Sequence, residues 1–238
     1  MKDVLYEVFR KYYGVEEYCV DDPIHNILYH SLESIHGKTS ELLREDIDVD
    51  AFYYHHCLNY SVEDSLFADT LVSFWTPYRT AIKKATGLYF RKNNREELLK
   101  VINKQDIDLS AIDDVNQHFY SFAKVYYSPG NYALLPVRAM NNAKYRSCED
   151  RIDYTLLECF SGGVLSEFFR DDEVLTAWIE RERLKSLFSD GVVSKKTLRP
   201  ILSAGYLHYS DMTLSELYEY IDRIAEFIEE RNNLLKVD

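Results

Sequence analysis

Apolar residues recur at steps of three and four along much of the chain, and the spacing predicts helices rather than strands. Val4, Leu5, Val8, Phe9 and Tyr12 mark a first helix over 2–13, and a second runs from Pro23 to Gly37. Ser61 with Asp64 has the form of a capping box and predicts a helix through Phe74. Thr76-Pro77 restarts the pattern up to Gly87, and Asn94 with Glu97 opens another helix. Ser110 leads into Ile112, Val115, Phe119, Phe122 and Val125, a single apolar face.

Ser128-Pro129-Gly130-Asn131 breaks the period with a strong turn signal. The run YALLPV after it is the best strand candidate. Helical spacing resumes at Ser147 and is interrupted by Gly162-Gly163. It returns behind Asp172 as far as Gly191, and again from Ser194 with a kink at Pro200. Thr213 with Glu216 caps a last helix carrying Leu217, Tyr220, Ile221, Ile224, Phe227 and Ile228 on one side. The reading is a mainly α, single multi-helix domain over residues 1–238, with a minor β element near residues 131–137 and a seam near residue 130.

Composition supports this picture. Only 8 glycines and 5 prolines punctuate 238 residues, fewer than a large β-sandwich or doubly wound sheet requires. A formal charge of −12 argues against broad contact with a phosphate backbone while leaving room for a local basic patch. The 20 tyrosines suit half-buried positions and protein-binding surfaces. Cys19, Cys57, Cys148 and Cys159 form no CxxC pair. With no apolar signal core at the N-terminus and no stretch approaching a membrane span, they point to free thiols in a reducing cytoplasm.

Several chemistries find no support. Neither a P-loop nor GxGxxG nor GxSxG occurs. His55-His56-Cys57 are adjacent and point apart, and His25 and His30 share no helix face, so neither a metal nor another cofactor is expected. The arginine–histidine spacing of helical HEPN ribonucleases is missing.

The segment where a function would best sit is Tyr126–Glu158. Arg146 and Asp150 stand four apart, as do Tyr154 and Glu158, and Asn131 follows a glycine at a turn. One reading makes Asn131, Asn141, Arg146, Asp150, Arg151, Asp153 and Glu158 a polar clasp that satisfies an irregular connection. The other makes them a small pocket for a ligand or nucleotide.

The sequence Gly130-Asn131-x-x-Leu134-Leu135-Pro136, followed by Asn141 and then Asp150-Arg151-x-Asp153-x-Thr155-Leu156 with Glu158, resembles an uncharacterised group of bacterial and phage proteins. With SFWTPY upstream, the likeness spans Ser73 to Phe188 and implies no particular activity. Gly130, Asn131, Leu134, Leu135 and Asn141 also resemble the corresponding segment of HNH nucleases, but Tyr127 stands where that family has histidine. Without imidazoles, the metal and the water-activating base are both missing.

The expectation is therefore a protein-binding role rather than catalysis, in a bacterial–phage setting, with a nucleotide- or nucleic-acid-processing pocket in 131–158 as the alternative. A third possibility is a homo-oligomer through residues 213–236. Neither nucleic acid nor membrane is an expected partner.

Overall fold

The computed structural model describes residues 67–89, 109–126, 129–136 and 138–235. The helices expected over 2–13, 23–37 and from Asn94, together with His55-His56-Cys57, lie outside them. The described chain is mainly α. A two-stranded antiparallel ribbon pairs β1 (Phe67–Thr70) with β2 (Tyr132–Leu135), with Thr70 opposite Tyr132 and Phe67 opposite Leu135. The minor β element thus lies inside the expected 131–137. Its partner was not foreseen, because residues 67–70 were assigned to the helix from Ser61. A strand forms there because the partner backbone is at hand, and tertiary pairing overrides a weak local pattern.

Three helices carry the first layer of the core. They are α1 (Trp75–Thr86), α2 (Leu109–Val125) and α6 (Leu214–Leu235). Phe74 and Tyr78 meet Phe119, and Phe74 also meets Phe122 and Tyr126, so α1 runs antiparallel to α2. Tyr218 bonds Asp114 and His118 faces Asp222, so α2 and α6 run parallel. The apolar side of α2 is buried as its period predicts, through Ile112, Val115, Phe119 and Phe122. Gly87 ends α1 at φ 74°, a conformation glycine adopts without steric cost. That helix starts at Trp75 with no side-chain cap, so Thr76 sits in its first turn rather than capping it.

After the ribbon the chain forms α3 (Arg138–Cys148), α4 (Ile152–Phe160) and α5 (Asp172–Arg181), with α3 packed on β2 and α4. The segment read as irregular before Ser147 is already helical in α3. The chain breaks after it at Glu149 and Asp150, which take φ values of 52° and 56°. Asp171 caps α5 by accepting a 2.9 Å bond from Val174, one residue before the expected cap. Beyond Arg181 the expected helix does not continue; Arg183 at φ 56° turns the chain into two short 3₁₀ turns. No helix forms from Ser194 either. The Ser194 and Thr197 hydroxyls bond each other at 2.8 Å, and Thr197 also bonds nearby carbonyls, competing with helical bonds.

The capping box of α6 is formed reciprocally. Thr213 N–H donates to Glu216 Oε2 at 2.7 Å, and Glu216 N–H donates to Thr213 Oγ1 at 3.2 Å. Leu217, Tyr220, Ile221, Ile224, Phe227 and Ile228 are all buried within the chain. The apolar side on which an oligomer through 213–236 would rest is thus already covered. Its outer strip carries Asp222, Glu226, Glu229 and Glu230, all exposed. Among the described residues no helix is long and apolar enough to cross a membrane.

Candidate functional site: three buried polar clasps

The polar residues picked out between Tyr126 and Glu158 fall into linked clusters. The first centres on Asn131, which is fully buried. Its Oδ1 accepts from Val72 N–H at 3.1 Å, and its Nδ2 donates to Val72 O at 3.1 Å and Tyr126 O at 2.8 Å. Its own carbonyl accepts from Leu71 N–H at 2.6 Å. The side chain thus imitates a strand neighbour for Val72 and extends the ribbon by one bonded pair where β1 ends. Glycine precedes it for a separate reason. Gly130 lies against the end of α6, where a Cβ would fall 2.2 Å from Ile228 O and 2.9 Å from Asn232 N. Gly130 N–H donates to Asn232 Oδ1 at 2.6 Å, and Gly130 O accepts from Arg231 Nη1 at 2.8 Å.

Arg231 continues into a second buried pair. Its Nε donates to Glu182 O at 2.6 Å, and its Nη2 lies 3.3 Å from Glu182 Oε2. Burial lowers the guanidinium to a pKa of about 10, with Glu182 partly offsetting the effect, so it stays charged at neutral pH.

The third cluster joins the ribbon to α4. Lys144, 1% exposed, donates to Thr70 O and lies 2.9 Å from Asp69 and 3.2 Å from Asp150. Burial works against its charge, but Asp150 and Asp69 together outweigh it and hold the ammonium above its ordinary pKa. Arg151 then pairs with Asp153, both completely buried. Nη2 reaches Oδ2 at 2.8 Å and Nε reaches Oδ1 at 3.3 Å, while Nη1 donates to Leu207 O. Asp153 also accepts from Tyr154 N–H and Ile201 N–H, each at 3.0 Å. The pair therefore pins the strap 199–213 across α4. The Arg151 guanidinium covers the ring of Tyr220 at 4.6 Å, a favourable cation–π placement.

The remaining candidates do not join these clusters. Asn141 is half-buried on α3 and Arg146 is exposed in its last turn. The expected Arg146–Asp150 contact does not form, because the helix ends between the two and Asp150 turns to Lys144 instead. Glu158 is half-buried on α4, its Oε2 lying 2.3 Å from where a Cβ of Gly163 would stand. That oxygen ends a flexible side chain and can rotate away, so the contact does not by itself require a glycine at 163.

Lys144, Glu182 and Arg231 were missed. For Lys144 a signal was present. Met140, Lys144 and Cys148 repeat every four residues, and Met140 and Cys148 are fully buried, so the lysine occupies a core position of an apolar stripe.

Cys148 and Cys159 are free, buried thiols. Burial pushes Cys148 up to about 12, and Cys159 well above its ordinary value, away from nucleophilic use. Among the described residues, no three His, Cys, Asp or Glu side chains gather to hold a metal ion. Of the tyrosines whose exposure is described, only Tyr89 and Tyr145 are largely exposed, so no tyrosine patch forms there. No family model matches the chain, and neither a curated protein nor a solved structure matches it.

These burials fix an alkaline response. Cys148 and Cys159 rise above 9.0, and Tyr209 and Tyr220 rise above 10.0 on burial. Between those values and the native ones, the unfolded chain has released protons that the native chain keeps, so stability falls as pH rises. Lys144 adds in the same direction, since its stabilisation is complete below 10.5 and is lost through its raised native value. Arg231 pulls the other way. The thermal midpoint, followed by circular dichroism, is expected to drop steadily from about pH 9. A flat or rising midpoint between pH 8.5 and 10.5 contradicts this assignment.

Proposed function

We propose that this is a non-catalytic protein-binding protein that engages an acidic partner through the loop 183–199. The observation that carries the reading is the charge of that loop. Residues 183–199 hold Arg183, Lys185, Lys195, Lys196 and Arg199 against a single acid, Asp190, in a chain of net charge −12. All five cations are exposed.

The loop is a built element. Ser189 N–H donates to Thr197 O at 2.8 Å and Arg199 N–H to Leu187 O at 2.9 Å, around a bridge between Phe188 and Leu198. Buried Leu187, Phe188 and Leu198 anchor it, and Phe188 meets Phe160 edge-on. Val192 stands 57% exposed near the tip. An apolar residue beside lysines suits an acidic peptide segment carrying a hydrophobic side chain.

The polar residues of 131–158 support the same reading from the other side. Asn131, Arg151 and Asp153 spend their hydrogen-bonding groups on the chain itself rather than around an open cavity. The bacterial–phage setting rests on the resemblance of the GN…LLP and DRxD motifs.

The test is affinity capture from bacterial lysate, with and without phage infection, using wild type and Lys195→Glu/Lys196→Glu. A captured acidic protein that binds directly when purified, weakens with salt and is lost in the double variant supports the proposal. Retention by the variant removes the loop from the interface. Capture that disappears on nuclease treatment shows that the loop meets nucleic acid instead.

A further inference from the structure

The outer strip of α6 and the loop 183–199 carry opposite charge, and both ends of the loop are tied to that helix. Arg231 Nε donates to Glu182 O at 2.6 Å where the loop begins. Arg223 Nη1 donates to Ile201 O at 3.2 Å just beyond its end. Yet the charges of the two surfaces do not meet within the chain. Lys185 turns back to Glu180 at 2.6 Å, and Arg223 is taken by Glu219 at 2.8 Å. Asp222 faces His118 at 3.9 Å. Among the described residues, Lys195 and Lys196 form no ion pair, and neither do Glu226, Glu229 and Glu230.

The strip works against its own helix. Glu226 stands four residues from both Asp222 and Glu230 and three from Glu229. Like charges at those spacings oppose each other across one helix face. One turn beyond Glu230, Leu234 is 53% exposed. The strip thus presents a run of acids ending in an open apolar side chain. The loop presents the complement, Lys195 and Lys196 with exposed Val192 near the tip. Resting on the reading of the loop as a surface for acidic partners, the geometry points to a second copy of this chain as the occupant, its α6 strip seated on the loop.

Charge fixes how two copies meet. Each carries −12, so most approaches bring like signs together and are repelled. Loop against strip reverses the sign at the contact. Since one chain carries both surfaces, a two-fold axis lets each copy give its loop and receive its partner's strip. The contact then forms twice in one dimer, and the second is intramolecular once the first is made. Exposed ion pairs are individually weak and screened by salt, so the dimer is dilution- and salt-sensitive.

Sedimentation velocity on the full chain across a concentration series tests this, with Lys195→Glu/Lys196→Glu and Glu226→Lys/Glu230→Lys beside wild type. Circular dichroism first establishes that both variants fold, as substitutions at exposed positions should. Wild type is expected to dimerise at about 50 mM salt, with a dissociation constant about ten-fold higher at about 500 mM. Each variant alone is expected to be monomeric. An equimolar mixture of the two is expected to dimerise again, because the reversed charges match across the interface. Wild type that stays monomeric throughout overturns the inference, and loop-dependent capture of another acidic protein would then leave the reading of the loop standing. A dimer kept by either variant, or a mixture no more associated than its parts, overturns it as well.

Discussion

Asp153→Ala is expected to cost about 3–5 kcal/mol of stability, much of the total that a domain of this size possesses. The loss has two parts. Arg151 would keep its charge in a fully buried position with no carboxylate, and Ile201 N–H would lose its acceptor. Both effects fall on the strap 199–213, which the pair ties to α4. Adding Arg151→Met to Asp153→Ala is expected to recover part of the loss, because the unpaired charge goes with the guanidinium. Chemical denaturation of the two variants and wild type measures the difference. A single substitution costing under 1 kcal/mol, or a double variant worse than the single one, would show that the pair is not a unit.

Gly130→Ala is the second large effect. The added methyl would stand 2.2 Å from the Ile228 carbonyl oxygen, a backbone atom inside a helix, which no side-chain rotation can move away. Relief requires separating the 129–131 turn from α6, and with it the bonds of Gly130 to Asn232 and Arg231. A loss of about 2–4 kcal/mol is expected. Gly162→Ala provides the comparison. That residue sits at φ 70° with nothing within 4 Å of the added carbon, so only the left-handed backbone is penalised, by about 1–2 kcal/mol. Urea midpoints for the pair should differ in that order, and equal losses would mean that close approach is not what residue 130 provides.

The helices with strong three-and-four spacing and a local stop, such as α2, α6 and the end of α1, were legible in the sequence. Their cause is local, an apolar stripe and a cap written within a few residues. The ribbon was half legible. YALL announced itself, but its partner FADT did not, because residues 132–135 and 67–70 are far apart in sequence and the match depends on the folded backbone. The break at Glu149–Asp150 was hidden for a similar reason. It is imposed by Lys144 drawing Asp150 toward Asp69 and by Glu149 accepting from Tyr209 N–H at 2.7 Å, neither of which is a neighbour in the chain.

At the candidate site the sequence singled out Asn131, Asp150, Arg151 and Asp153, and all four lie in clasps. It could not divide them between separate clusters, because the assignment is made by partners with no motif of their own: Val72, Lys144, Ile201 and Leu207. The glycine–asparagine step was visible as a turn, yet its two residues answer different needs. One admits a helix end and the other completes a strand.

The parallel pairing of α2 with α6 also governs the order in which the protein can be made. Gly130 is bonded by residues 231 and 232, about a hundred positions later in the chain. A ribosome adding roughly 5–20 residues each second leaves that turn without its partners for several seconds. During that interval the apolar side of α2 has no α6 to cover it, and a nascent chain stalled before residue 228 would leave that side of α2 uncovered. The last helix is therefore the step that commits the earlier part to its final form, and chaperone contact is expected to end only when it emerges.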